Sequence, residues 1–487
     1  MISNQIDVKK IFESDGYVII PPEERIGSEG DEDIASSATV SDKEVELSKD
    51  NIKKIVPAIA TPVLKMMPEE EYDIPTIVEY LNWHMERVGA LVIGRGEIIR
   101  QAVYAILTGE HMLLLSRTGM AKSYLATSIF NIFEGARVFS SQASKDQTPD
   151  NYFGPYNIDE FRKGRIRHNI KGSIIEANFV FLDEFFDASD VVLRSLLSVL
   201  NERKFINGSE QIDAAVHTAI ATANYMRMNE VTEAVLDRFT YKSIIPEDTN
   251  VYNQFLIDQT YTVSRGKATE PERKIFFNQI LFLHDIITNN HRDIKVDVPE
   301  FIYFMKNVLV TKFISEMRKT DQNFFISPRK QAKLSDFLRA SAIVNNRFTA
   351  DMDDIRDMSL ALCTLNSYTS IKNLDKSEKD LFLDVYQKTM NHFKATGALS
   401  QIEFLLSVRT IFEEIKNDPE KRDNILKKST LFDNLKNLFK LVFSGKRRED
   451  EEITLESLKK SVFEIGSSVE EVNELKNGIL KEYREIT

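Results

Sequence analysis

The sequence predicts an α/β protein in which a parallel sheet flanked by helices precedes an all-helical region. Three observations carry that expectation. First, between about residues 86 and 250, helical stretches alternate with short apolar runs: "HMLLL" at 111, "ARVFS" at 136, "NFVFLDE" at 178 and "VHTAIATAN" at 216, the pattern of crossover units on a parallel sheet. Second, after Pro246 the periodicity becomes helical, in "ERKIFFNQILFLHDIIT" and "QAKLSDFLRASAIV". Third, "LLLSRTGMAKSYLA", residues 113 to 126, reads as a strand, a tight loop and a helix start.

Bulk composition narrows the function classes. The chain has 487 residues, with 63 Lys plus Arg against 75 Asp plus Glu and a formal net charge of -12, which disfavours nucleic acid as the main partner. Cys363 is the single cysteine, so no intrachain disulfide is expected. The seven histidines show no pair at metal-ligand spacing, and no zinc site is expected. No apolar run is long enough to span a bilayer, and the first residues lack a signal peptide's apolar centre. A cytoplasmic location is expected.

Composition divides the chain into five parts. Residues 1–50 are acidic, serine-containing and nearly free of aromatics, so a mobile segment is expected. Residues 51–87, interrupted by Pro57, Pro62, Pro68 and Pro75, read as a helical connector. An α/β domain is expected over 88–250 and an all-helical domain over 251–365. A helical extension follows over 366–487, interrupted near Asp418-Pro419 and by "SGKRREDEE".

The loop at Ser116, Arg117, Thr118, Gly119, Met120, Ala121, Lys122 and Ser123 sits where backbone N–H groups and a helix N-terminus would receive phosphate. Lys122 would add a cation, and Ser123 would ligate Mg²⁺. Ser116 and Ala121 replace the glycines of the strict pattern, and Ser116 is expected to make its turn at a conformational cost. A plain strand-to-helix turn is the alternative. In "NFVFLDEFF", Asp183 and Glu184 end an apolar strand. There Asp183 would hold Mg²⁺ and Glu184 would polarise an attacking water, or both are solvated carboxylates. Asn224 ends the next strand, placed to hydrogen-bond the water or the γ-phosphate, or simply to cap a turn. Arg238, in "EAVLDRFTYK", suits either an arginine finger acting in trans or a salt bridge with Asp237 or Glu233.

With these residues in order, followed by "SPRK", the chain resembles the AAA+ ATPases, their MoxR branch, and within it the RavA group. The similarity runs from "VIGRGEIIRQAVYAILTGEHMLLLS" through "DNYFGPYNIDEFRKGRI", "EANFVFLDEFFDASDVVLRSLLSVLNERKFINGSEQI", "IATANY" and "VLDRF" to "SPRKQAKLSDFLRASAIVNNR". It spans about residues 88 to 365. Ala121 before Lys122 is a habit of the family, whereas Ser116, Arg117 and Thr118 depart from its pattern.

The resemblance implies an AAA+ module with a parallel sheet flanked by helices, an all-helical lid, ATP with Mg²⁺, and a homo-hexamer that remodels protein partners. It often implies a partner with a von Willebrand factor A domain. Arg329, in "SPRK", matches the family's sensor arginine, and Glu184, Asn224 and Arg238 join it as catalytic residues. The segment "FGPYNIDEFRKGRIRHNIKGSIIEA" and the hairpin signalled by Asn207-Gly208 correspond to elements that face the pore or substrate in related ATPases. An alternative function is a nucleotide-gated scaffold with weak or no turnover, motivated by Ser116, and a nucleic-acid motor is a third class.

Overall fold

Alternation of apolar side chains along three short strands divides the core in two. In the computed structural model, which describes residues 72–207, 210–226, 234–245, 249–264, 271, 274–362, 377–417, 438, 442–443 and 454–484, helices of nine or more residues and strands of four or more are labelled in order. Helices α1 (Ile74–Leu91) and α2 (Gly96–Leu107) lead into β1 (Met112–Leu115) and α3 (Lys122–Phe130). Then come β2 (Val138–Gln142), β3 (Phe179–Asp183), α4 (Asp190–Glu202), β4 (Lys204–Asn207), β5 (Glu210–Asp213), β6 (Thr218–Ala223) and β7 (Tyr241–Ile244). The sheet is parallel, in the order β2-β3-β6-β1-β7. Met112, Leu114, Phe179, Phe181 and Ile220 enter one core, with α2 and α3. Leu113, Leu115, Val180, Leu182, Ala219 and Ala221 enter the other, with α4. This is the two-residue period of a strand covered on both faces.

The four expected apolar runs are all strands of this sheet. The fifth, β7, was not foreseen: among the described residues "YKSI" has only β1 as a strand neighbour, and it carries Lys242 and Ser243 in its middle. Pairing with β1 in register, Met112 with Tyr241 and Leu115 with Ile244, holds it in place. The expected hairpin is present, with β4 and β5 antiparallel and Asn207 opposite Glu210. Gly208 lies outside the described residues, as do Cys363, Glu233, Asp418-Pro419, residues 444–452 and the acidic segment over residues 1–50.

Helix α1 starts at Asp73, whose carboxylate accepts from Thr76 N at 3.1 Å, with Pro75 in the first turn, where its missing N–H costs nothing. It continues past residue 87, the boundary expected between connector and α/β region. Helix α2 buries nine of its twelve residues, and each large aliphatic among them contributes about 1.5 to 3 kcal/mol. After α5 (Val251–Ser264), α6 (Phe277–Ile287), α7 (Glu300–Met317) and α8 (Pro328–Val344) form the helical region. Ser327 caps α8 by accepting from Lys330 N at 3.2 Å. Helices α9 (Glu378–Thr396), α10 (Ala398–Asn417), α11 (Leu455–Glu464) and α12 (Glu470–Glu482) complete the chain. Their apolar faces join the core of α6 to α8. No helix among the described residues is long and apolar enough to cross a membrane.

The amino edge of the sheet is tied by a buried polar network. Arg203, in the left-handed conformation (φ 55), donates to Gly109 O at 2.6 Å and His217 O at 3.0 Å. His111 Nδ1 accepts from Ala219 N at 3.0 Å, which requires the neutral ring. Burial pushes His111 well below the usual histidine range, and pushes His217 down to about 3. In α1, His84 is fully buried, and burial with Arg87 nearby lowers it to about 4.

These depressed values make the fold acid-sensitive. A neutral buried histidine stabilises fully above pH about 6.5, and the contribution is lost as the unfolded chain gains protons first. For His84 the loss is on the order of 3 kcal/mol between pH about 6.5 and 4. Thermal melting across that range should show a falling midpoint, and His84→Leu should flatten the slope. An unchanged slope in the variant would show that His84 titrates normally.

Candidate nucleotide-binding site

The carboxyl ends of β1, β3 and β6 bring six polar side chains together, at the edge where open α/β sheets bind ligands. Lys122, 7% exposed, donates to Ser116 O at 3.1 Å, Arg117 O at 3.3 Å and Asn224 Oδ1 at 2.5 Å. The same Asn224 side chain donates from Nδ2 to Glu184 Oε1 at 3.3 Å. One amide therefore bridges the cation and the carboxylate. Ser123 Oγ donates to Asp183 Oδ2 at 2.9 Å, and Thr222 Oγ1 donates to Asp183 Oδ1.

Sequence reasoning missed Thr222. Its signal was available: a hydroxyl two positions before Asn224, on a fully buried strand, must find a partner, and β3 is the neighbour.

The backbone corrects the expected cost of Ser116. Its φ is not among the positive values; those in the loop belong to Gly119 (φ 84) and Ala121 (φ 57). Ser116 instead continues the extended chain, with its N–H donating to Ala223 O at 3.0 Å, so a side chain fits without strain. The strain sits at Ala121, where a left-handed residue with a Cβ costs roughly 1 to 2 kcal/mol, and at Glu184 (φ 51). Arg117, Thr118 and Gly119 are exposed, and Met120 is half-buried against the core.

The residues fit a triphosphate with Mg²⁺. Lys122 makes no ion pair among the described residues; its three acceptors are two carbonyls and an amide, which leave its charge uncompensated by direct contact. Burial lowers its pKa, and the Asp183 and Glu184 carboxylates oppose that shift. Helix α3 starts without a side-chain cap, leaving first-turn N–H groups for an anion. A Cβ at Gly119 would meet nothing within 4 Å, so the loop's outer side is open. No group of three or more metal-ligating side chains occurs among the described residues. Mg²⁺ suits such a place, because it is usually held by one or two carboxylates plus phosphate and water.

Arg238 and Arg329 are elsewhere. Arg238 lies three positions before Tyr241, the first residue of β7, at the amino edge, while Lys122 follows β1 at the carboxyl edge; the strand between them spans about 10 Å or more. Arg238 Nη1 donates to Asp237 Oδ2 at 3.1 Å, and its Nε is buried without a hydrogen-bond partner among the described residues. Arg329 Nη1 lies 3.6 Å from the same Asp237 oxygen and donates to Asn201 Oδ1 at 3.1 Å. Two guanidiniums thus meet at one carboxylate.

Comparison with known proteins gives this geometry a family. Residues 79–284 match the MoxR domain of the MoxR-vWA-beta-propeller ternary systems, and residues 298–365 match an AAA lid domain. The chain has the fold of an AAA+ module with a helical lid, and over residues 79–284 it is similar to MoxR domains. An uncharacterized protein of Methanocaldococcus jannaschii is 25% identical over 322 residues, covering 62% of this chain and 78% of that protein. The chaperone MoxR1 of Mycobacterium tuberculosis is 24% identical over 298 residues, covering 59% and 75%. A solved structure from Cytophaga hutchinsonii, described as a candidate ATPase, shares the fold with a TM-score of 0.52 at 20% identity, covering 65% of this chain and 96% of that one. The module therefore has its helical lid in α7, α8 and the short helices Met352–Asp357 and Ser359–Leu362.

Two substitutions test the loop of this module. Lys122→Ala should abolish nucleotide binding while the melting temperature holds, because the variant deletes the cation aimed at the loop; unchanged affinity for a fluorescent ATP analogue would remove the loop from the site. Ser116→Gly should leave affinity within about twofold, since the φ of Ser116 is outside the glycine region. A larger change would give Ser116 a role beyond filling the turn.

Proposed function

We propose that the chain is a Mg²⁺-dependent ATP hydrolase of the MoxR type, working as a homo-hexameric ring that remodels protein partners. The observation that supports this best is the hydrogen-bonded series Lys122, Asn224 and Glu184 beside the Ser123–Asp183 pair. Bound Mg²⁺ would neutralise phosphate charge next to Ser123 and Asp183. Lys122 holds the phosphates, with the N–H groups of α3. Glu184 accepts a proton from the attacking water, and Asn224 keeps that carboxylate aimed while its other end steadies Lys122.

The paired arginines favour an assembly. Arg238 lies at the edge opposite its own Lys122, so it serves hydrolysis only by reaching another subunit's phosphates. Arg329, held to the same Asp237, would arrive with it. A partner with a von Willebrand factor A domain is proposed from the family model's description, and assignment to the RavA group rests on sequence motifs alone. The scaffold reading draws its support from Ser116, which carries no left-handed φ; turnover is therefore the preferred reading.

Mixing inactive subunits tests the assembly. Arg238→Ala should retain ATP binding and lose hydrolysis by about 10³ to 10⁵, the worth of arginine fingers supplied in trans. Glu184→Gln should be inactive too, yet mixtures of the two should regain phosphate release at interfaces that pair an intact finger with an intact site. Sedimentation establishes that subunits exchange. No recovery after exchange, or full activity of Arg238→Ala alone, would return Arg238 to an ordinary ion pair.

A further inference from the structure

The segment between β2 and β3 carries a surface that the nucleotide chemistry does not use. Its outer loop, residues 155–172, holds five cations (Arg162, Lys163, Arg165, Arg167, Lys171) against two carboxylates (Asp159, Glu160). That is a local excess of three positive charges on a chain whose net charge is -12. Tyr156, Ile158, Phe161 and Ile166 in the same loop, with Ile206 on the neighbouring hairpin, are exposed, from 46% at Tyr156 to 67% at Ile158. Several large exposed apolar side chains on one loop and the hairpin beside it, interspersed with charge, mark an interaction surface.

The loop is braced. Asn157 N donates to Arg167 O and Asn169 N to Pro155 O, both at 2.7 Å. Gly154 (φ 89) lets the two sides close, since a Cβ there would lie 2.0 Å from Asn169 O. His168 Nδ1 meets Glu210 Oε2 at 2.9 Å, Phe153 stacks on Phe205 at 4.8 Å, and the ring of His168 stands edge-on to Phe205 at 5.0 Å. These contacts fix the loop to the β4–β5 hairpin and hold its apolar residues outward.

The carboxylates cannot neutralise the patch. Glu160 is shared by Lys163 at 3.0 Å and Arg165 at 2.8 Å, with Arg167 also acting on it, and Asp159 faces Arg162 at 3.6 Å. Lys171 has no ion-pair partner among the described residues.

We propose that this loop and the hairpin beside it form a docking surface for an acidic polypeptide segment bearing apolar side chains. The acidic groups meet the cationic excess, and the apolar ones cover Ile158, Phe161, Ile166 and Ile206. A nucleic acid matches the charge less completely, because three of the five exposed apolar groups are isoleucines with no face for base stacking. The inference rests on the remodelling reading for its role, as it names the class of protein segment the module would engage.

Fluorescence anisotropy on the full chain tests it, with a labelled synthetic peptide of Glu, Asp, Leu and Ile. A control peptide has Lys in place of the acids, and a single-stranded DNA oligonucleotide is the third probe. The acidic peptide should bind, more weakly as salt rises, and the Lys peptide should not. Arg167→Glu with Lys171→Glu should weaken binding about tenfold or more, as should Ile158→Ser with Phe161→Ser. Melting temperatures equal to the parent's keep loss of docking apart from loss of fold. Equal binding of both peptides, indifference to either double variant, or tighter binding of DNA would overturn the proposal. Binding is read without hydrolysis, so a chain that docks peptide but releases no phosphate would count against the ATPase reading and leave this one standing.

Discussion

The amide of Asn224 is the contact on which the site's arrangement depends. It accepts from Lys122 and donates to Glu184, so one uncharged side chain spaces a buried cation and a carboxylate without letting them neutralise each other. A direct ion pair would satisfy both groups and leave little for a ligand; an apolar residue would leave Lys122 with its two carbonyl acceptors alone and take from Glu184 the amide donor, at a cost of about 1 to 3 kcal/mol. The amide is held because β6 lies between β1 and β3. Leu115 pairs with Ala223 and Leu182 with Ala221, and those registers bring the three strand ends to one level.

The two edges of the sheet divide the labour. At the carboxyl edge lie the loop, Asp183, Glu184 and Asn224. At the amino edge lie Arg203 with its buried histidines, the pair Arg238 and Arg329, and the hairpin with its braced loop. The lid is fastened to that second edge. Glu110 accepts from Lys333 of α8 and from Thr240 just before β7, at 2.5 and 2.6 Å, and Arg329 reaches Asn201 at the end of α4. A change in the seating of α8 would therefore bear first on Asp237 and its two guanidiniums, through contacts that need no long pathway.

Two strained residues flank the cation. Ala121 and Glu184 both take left-handed backbone conformations, and Glu184 does so directly after Asp183 Oδ1 accepts its N–H at 3.0 Å. Such strain persists where surroundings over-determine it. Ala121 sits between β1 and the start of α3, and Glu184 directly after β3.

How much was legible in the sequence follows from what each signal depends on. Strands β1, β3 and β6 were legible because a strand buried on both faces must be a nearly unbroken apolar run, the edge strand β2 from the short run "ARVFS" alone, and the helical lid because its stripe repeats every three to four residues. Lys122, Ser123, Asp183, Glu184 and Asn224 were legible because each follows a strand end, where local chain order decides position. The strand β7 was not, since an edge strand with Lys242 and Ser243 owes its conformation to β1 and not to its own composition. Thr222, the shared use of Asp237 by Arg238 and Arg329, and the placement of strain at Ala121 and not Ser116 were equally hidden. Each depends on which side chains distant in sequence meet, or on a backbone angle imposed by neighbouring elements, and only tertiary packing decides those.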